Sequence, residues 1–227
     1  MLKAKEKGNM LEKLKGLVKD HFDNVIKLVI ALSLVCIANG VNASTFSGSV
    51  GIGSDYVFRG ISQHEGNHVL SASIDADIIG GVYASAWVSE VDFGDGNAEH
   101  EIDTVVGLKK DWKHVGFNVA YIDYGYRGHS DLDYEEILIS ATLAGVTVSH
   151  YMGQDEALDY TEFSTGLLKV VDLAYGDAEG QGTHWAISKG YDLLKGHVKV
   201  GYTDFTADDA SGMIDEDNIF VNYVYTF

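Results

Sequence analysis

The chain has 227 residues, about one to one and a half ordinary domains. Asp and Glu outnumber Lys and Arg by 34 to 16, and a formal net charge of -18 excludes a partner recognised through its phosphates. A hydrophobic content of 46% excludes a disordered chain, one Cys excludes an intramolecular disulfide framework, and 26 Gly with 13 Tyr favour strands and turns.

The basic residues are unevenly placed. Residues 1–43 hold seven of the 16 and only four of the 34 acids, which leaves nine against 30 in the remainder. The uncharged run Leu28–Ala38 follows, 11 residues long. A bilayer-spanning helix needs about 18. A basic front, a short apolar run and the small residues Val41 and Ala43 have the layout of a secretory signal peptide cleaved before Ser44. The front is long, and Met10 is an alternative start. Leu11, Leu14, Val18, Phe22 and Val25 recur at helical spacing, so an uncleaved amphipathic helix is the competing reading. Cys36 lies in the apolar run, so a processed chain has no Cys.

After Ser44 the period changes to two. Phe46, Val50, Ile52, Tyr56 and Phe58 oppose Ser47, Ser49, Asp55 and Arg59 along a first strand expected over 45–62. Leu70, Ala72, Ile74, Ala76 and Ile78 oppose Ser71, Ser73, Asp75 and Asp77 over 67–78. Further strands are expected over 81–91, 98–109, 114–125, 132–142, 145–153, 159–168, 170–177, 183–189 and 196–205. The last, 216–227, sets Ile219, Val221, Tyr223, Tyr225 and Phe227 against Asn218, Phe220 and Asn222. Twelve strands of about ten residues match the length and even number of a transmembrane β-barrel. Ten strands is the alternative.

The connections fall into two classes. Those after even-numbered strands are short, as at Ile79-Gly80 and Ala144-Gly145, and six Lys sit in or beside them: 109, 110, 113, 169, 189 and 195. Those after odd-numbered strands are acidic and lack Lys, with Asp92, Asp95, Asp155, Glu156, Asp208, Asp209, Asp215, Glu216 and Asp217. A membrane barrel has two distinct ends, and a soluble sandwich has no reason to sort charge this way. A terminal strand ending in Tyr223, Tyr225 and Phe227 looks like the assembly signal read by the barrel-assembly machinery.

Ser54-Asp55-Tyr56-Val57-Phe58-Arg59-Gly60, with Ile61-Ser62-Gln63 after it, resembles the opening hairpin of the TorF-type porins. Gly81–Ser89 is similar to that family's third strand and Tyr121–Tyr124 to its fifth, although Gly125 stands where many members have Pro. The likeness extends over residues 45–227. The resemblance implies a bacterial outer-membrane barrel that serves as a diffusion channel, and it supplies no substrate.

Other motifs have ordinary explanations. His64-Glu65-Gly66-Asn67-His68 spells H-E-x-x-H, but it falls between strands at a Gly-Asn turn, not on the helix that zinc proteases need. It is a hairpin loop, with weak surface metal capture by His64 and His68 as the alternative. Gly48, Gly51 and Gly53 precede no Lys-Ser/Thr and no helix, so they read as small residues in a curved strand rather than a phosphate loop. His100, His150, His184 and His197 leave a Ser-His-acid lipid hydrolase as a third reading, without a distinguishing motif.

The resulting expectation is an all-β, 12-stranded antiparallel transmembrane barrel over residues 44–227, in a Gram-negative outer membrane. It would contact membrane lipids and lipopolysaccharide outside and small solutes or ions inside, with no cofactor and no nucleic acid. Passive passage of small hydrophilic solutes is the leading function. A non-conducting structural or ligand-binding barrel is the runner-up. The expected inward positions are Asp55, Asp75, Asp77, Glu101, Asp103, Glu136, Glu162 and Asp172, against the cations Arg59 and Lys199. An acidic lumen predicts cation preference. Arg59 reads either as an ion-pair hub or as a pore constriction.

Overall fold

The computed structural model describes residues 45–94, 100–155, 157–167 and 170–227. The expected export signal over 1–43 lies outside the described residues, as do Asp95, Glu156 and Lys169.

In chain order the strands are β1 (Thr45–Gly53), the two-residue pieces β2 (Val57–Phe58) and β3 (Ile61–Ser62), then β4 (Val69–Asp77), β5 (Val82–Glu90), β6 (His100–Trp112) and β7 (Val115–Arg127). They continue as β8 (Tyr134–Leu143), β9 (Val146–Gly153), β10 (Tyr160–Leu167), β11 (Val171–Ala178), β12 (Gly182–Leu193), β13 (Gly196–Ala207) and β14 (Glu216–Thr226). All but β2 and β3 join one closed antiparallel barrel of 12 strands. Ten strands is thereby excluded.

The strands form because alternation runs unbroken and no Pro removes a ladder donor. The tight turns supply the positive φ that right-handed strand twist demands. Ala144 and Gly145 (φ 52° and 83°) and Leu194 and Lys195 (50° and 66°) link β8 to β9 and β12 to β13. Closure is made by β1, which pairs with β4 on one side and β14 on the other. Ser49 stands opposite Thr226 and Gly53 opposite Asn222. Gly48 and Phe227 extend the seam with two backbone hydrogen bonds of 2.9 Å. A Cβ on Gly48 would meet the Phe227 ring at 2.9 Å, which is why a side chain is missing there.

The burial pattern is that of a protein turned inside out. Ile219 is 74% exposed and Phe227 71%, whereas Glu101 and Glu136 are fully buried. Phe46, Ile74, Leu108, Phe163 and Val221 are exposed on the same outward parity. The lumen side carries Ser49, Ser73, Asp75 and Ser85, tied by hydroxyl–hydroxyl and hydroxyl–carboxylate bonds of 2.7–2.9 Å. An apolar exterior around a polar lumen is a barrel built for lipid, and the fold is a transmembrane β-barrel. Trp112, Tyr191 and Tyr225 lie on the outward face near the short-turn end, where aromatic girdles anchor barrels at the interface.

The ladders of β6 and β12 run on to Trp112 and Leu193, past the expected 109 and 189, and the first expected strand is too long. β1 ends at Gly53, not at residue 62. The rest of that stretch leaves the wall, and Tyr56, Phe58 and Arg59 do not continue its alternation.

On β14, cysteines at Tyr223 and Tyr225 are expected to resist a membrane-impermeant maleimide, and cysteines at Asn218 and Asn222 to react. Scanning a chain that starts at Ser44, which leaves out Cys36 and so has no native Cys, checks this. The reverse pattern would contradict the facing of the barrel.

Candidate functional site

Past Gly53 the chain turns into the lumen and folds as a miniature hairpin. Val57 pairs with Ser62 and Phe58 with Ile61. The two turn residues, Arg59 and Gly60, both have positive φ (50° and 89°), the geometry of a two-residue hairpin turn. Gly60 is needed twice over. It adopts this φ without steric cost, and a Cβ there would lie 2.7 Å from the His184 Cβ on β12. Arg59 has no such freedom, so its left-handed backbone is held by what its side chain meets.

The guanidinium of Arg59 lies in a box on the far wall. Its Nη2 donates to Glu136 Oε2 on β8 at 2.7 Å. Its Cζ lies 4.0 Å from the Tyr160 ring centre on β10, 5.0 Å from Tyr151 on β9 and 4.7 Å from its neighbour Phe58. The Tyr124 hydroxyl on β7 donates to the same Glu136 oxygen at 3.0 Å. The side chains of Arg59 and Glu136 are 16% and 1% exposed, so water screens this pair poorly. Cation–π contacts in such a desolvated setting are worth about 2 kcal/mol.

The other edge of the hairpin is anchored to the opposite wall. Asn218 donates to the Gly60 carbonyl at 3.2 Å, and the Ser62 amide donates to Glu216 Oε1 at 2.8 Å, both on β14. Tyr56 packs edge-on against Trp87 of β5 at 5.1 Å, and Phe58 against Tyr124 at 6.0 Å. Around these rings Ile122, Leu138 and Val105 form an apolar cluster. Asp55, outside the spanning strands, accepts from the Ser62 hydroxyl at 2.9 Å. Burial raises its carboxyl above the usual range, and the bonds from Ser62 and the Tyr56 backbone pull the other way.

The hairpin therefore separates two lumenal cavities. One of about 460 Å³ lies toward the short turns, bordered by Glu162, Asp172, His184, Lys199 and the hairpin residues Val57 and Arg59. The other, about 1070 Å³, lies toward the long loops, bordered by Phe58, Arg59, Glu136, Tyr134, Asp131 and Asp159. Arg59 borders both.

The expected inward residues divide accordingly. Asp75, Asp77, Glu101, Asp103, Glu136, Glu162, Asp172 and Lys199 all have inward parity. Glu101 and Glu136 are buried by aromatic hydroxyls, Tyr126 donating to Glu101 at 3.1 Å. Glu162 and Asp172 border open space. Asp55 and Arg59 are inside the barrel but not on the wall, and the partner of Arg59 is Glu136, not Asp55. Lys109 is a further inward cation, 2.6 Å from Asp77. Tyr223, Tyr225 and Phe227 line the outer seam, Tyr225 stacking on Phe227 at 6.2 Å. His64 and His68 sit in the loop after the hairpin, which is a turn and not a helix.

Of the histidines, His184 is inward and stacks on Tyr160 at 5.9 Å, and His197 pairs with Asp192 at 3.0 Å. His150 faces outward, with Thr161 Oγ1 at 2.9 Å and an Asp159 oxygen 3.9 Å away. The second distance exceeds a hydrogen bond.

The sequence reading missed Tyr124, Tyr126, Tyr151 and Tyr160 as partners of the hairpin. The signal was present on β7, where Ala120, Ile122 and Tyr124 put apolar surface on the lumenal parity as well as the outer one. A strand apolar on both faces has something packed on both.

Removing one partner of a buried ion pair costs about 3–5 kcal/mol. Glu136→Gln is expected to escape that cost by releasing the hairpin while the barrel stays closed. Trypsin then cuts after Arg59 in the variant and spares that bond in the wild type, read by mass spectrometry of the fragments. Equal protection in both would show that the pair does not hold the hairpin.

Residues 37–226 match the profile of a family described as "Bacterial protein of unknown function (Gcw_chp)". No curated protein matches. Among solved structures the chain is similar to the "KdgM porin in complex with disordered oligogalacturonate", at 8% identity over 81% of this chain and 99% of that one, with a TM-score of 0.46. It is also similar to the outer membrane protein opdK from Pseudomonas aeruginosa, at 10% identity over 71% and 58% with a TM-score of 0.35. OccAB4 from Acinetobacter baumannii gives 12% identity over 76% and 56%, with a TM-score of 0.35. The chain belongs to the Gcw_chp family of bacterial proteins.

Proposed function

We propose that this protein is an outer-membrane channel for small hydrophilic solutes, cations above all, whose passage is restricted by the β2–β3 hairpin. The observation that carries the reading is the hairpin's position between two lumenal cavities, with Arg59 bordering both. Eight strands give an interior that side chains can fill and sixteen leave an aqueous channel. Twelve leave a lumen that one inserted hairpin can narrow. The likeness of Ser54–Gly60 to the TorF-type porins supports the same reading. Residues 1–43 serve as the cleaved export signal, and Tyr223, Tyr225 and Phe227 as the segment read by the barrel-assembly machinery. Lipids and lipopolysaccharide surround the apolar exterior.

Selectivity follows from the charge that remains open to the lumen. Glu162 and Asp172 share the smaller cavity with Lys199 and with Arg59, whose charge is already matched by Glu136, and Asp131 and Asp159 border the larger. Lys109 is occupied by Asp77. Water screens these fields over about 8–10 Å at physiological salt, so the preference is moderate and grows in dilute salt. The hairpin also favours a second reading, a barrel that does not conduct and uses its lumen only to bind.

A reversal potential under a KCl gradient separates the two. The wild type is expected to show cation preference, larger in Arg59→Ala, where a lumenal positive charge is gone. Anion preference would contradict the assigned lumen, and absence of current from both proteins would leave the binding barrel.

Phe227→Asp places a charge on the lipid-facing end of the seam, and deletion of Phe227 removes the two backbone bonds to Gly48. Both are expected to lower the yield of heat-modifiable barrel in outer-membrane fractions several-fold. Normal yield from both would remove the assembly role from this residue.

A further inference from the structure

The box that holds Arg59 is built by the barrel wall. Glu136, Tyr151 and Tyr160 come from three successive strands, β8 to β10, and the hairpin contributes only Phe58. Each wall member has a wall contact besides Arg59, Tyr151 through the Tyr160 ring at 5.5 Å. The Tyr124 hydroxyl holds Glu136. The Tyr160 hydroxyl donates to Glu162 at 2.9 Å, and its ring stacks on His184. The wall thus presents a preorganised carboxylate beside two aromatic faces.

Arg59 does not saturate this site. Its Nη2 and the Tyr124 hydroxyl both use Glu136 Oε2. Glu136 Oε1 is buried with no hydrogen-bond partner among the described residues. A guanidinium tethered to a two-residue turn reaches one oxygen. A free one can rotate to take both in the bidentate geometry that this ion pair favours. The group that matches the box is planar, weakly hydrated and able to stack on rings, which describes guanidinium better than ammonium. Glu136 also borders the larger cavity, whose rim carries Asp131 and Asp159, so an incoming cation has an acidic approach.

We infer that this box is a recognition site for small organic cations of the guanidinium class, and that Arg59 is its resident, tethered occupant. A free guanidinium compound competes with Arg59 for Glu136 and the two tyrosine rings. Its binding favours the barrel with the hairpin released, by as much as its affinity differs between the two states. The inference deepens the channel reading and rests on it for the route of access, but binding is measurable without any current.

The test uses the refolded barrel in detergent and methylguanidinium as probe, with methylammonium and sodium at equal ionic strength as comparators. In Arg59→Ala, methylguanidinium is expected to raise the thermal midpoint saturably, and the comparators are not. Adding Glu136→Gln should weaken its apparent affinity roughly tenfold or more, the usual scale for a hydrogen bond to a charged group. The wild type should bind it more weakly than Arg59→Ala, because its own guanidinium fills the site. Gly60→Val gives a second route to a vacated box, since its side chain meets His184 and its backbone disfavours φ of 89°. Equal responses to all three cations in both vacated variants, or affinity unchanged by Glu136→Gln, would overturn the inference. A preference for methylammonium would do the same. Specific binding without any bilayer current would uphold the site and count against the channel alone.

Discussion

Closure of the barrel by the pairing of β1 with β14 is the constraint from which the rest follows. In lipid, no water satisfies an exposed strand edge, and each orphaned backbone group costs several kcal/mol, so a sheet that spans must close on itself. The seam between Thr45–Gly53 and Glu216–Thr226 provides that closure. Once it is closed, every strand has one lipid face and one lumenal face, and the two-residue period assigns each side chain to one of them. The exposed Ile219 and the buried Glu136 are opposite results of the same rule.

The rule creates a second problem at the lumenal face. A 12-stranded barrel encloses more space than its own inward side chains, many of them Ser and Gly, can fill. The first loop solves it locally. Leaving the seam strand at Gly53, it enters the lumen and carries its own backbone pairing with it, Val57 to Ser62 and Phe58 to Ile61. The charge at its tip, Arg59, is matched by a carboxylate and ringed by aromatics, which offsets the desolvation of both ions. Contacts to β8–β10 on one side and β12–β14 on the other make the hairpin a brace across the barrel. At the tip they converge on the Arg59–Glu136 pair, so loss of that pair is expected to free the hairpin without opening the wall.

The wall itself was legible in the sequence. All 12 strands can be read from alternation, the two ends from the segregation of Lys and acids, and the outward seam from Ile219, Val221, Tyr223 and Tyr225. The error at residues 54–62 has a physical origin. Asp55, Tyr56, Val57, Phe58 and Arg59 keep a period of two because a hairpin inside the lumen also alternates, so periodicity does not distinguish it from the wall. What did distinguish it was Arg59-Gly60, a turn dipeptide, together with strand β7, whose apolar inward positions Ile122 and Tyr124 required a partner. The pairing of Arg59 with Glu136 was not legible, because 77 residues separate them and only the closed barrel brings them to 2.7 Å. Inward parity alone also could not tell Glu101 and Glu136, sealed under tyrosine hydroxyls, from Glu162 and Asp172, which meet open space.

The central claim is that the hairpin, and not the wall, sets what the lumen lets through. Single-channel conductance of the wild type against a variant with residues 57–62 replaced by a short Gly-Ser link tests it most directly. A barrel of unchanged heat-modifiability and a several-fold larger unitary conductance are expected in the variant. The same conductance in both, with the barrel intact, would contradict it.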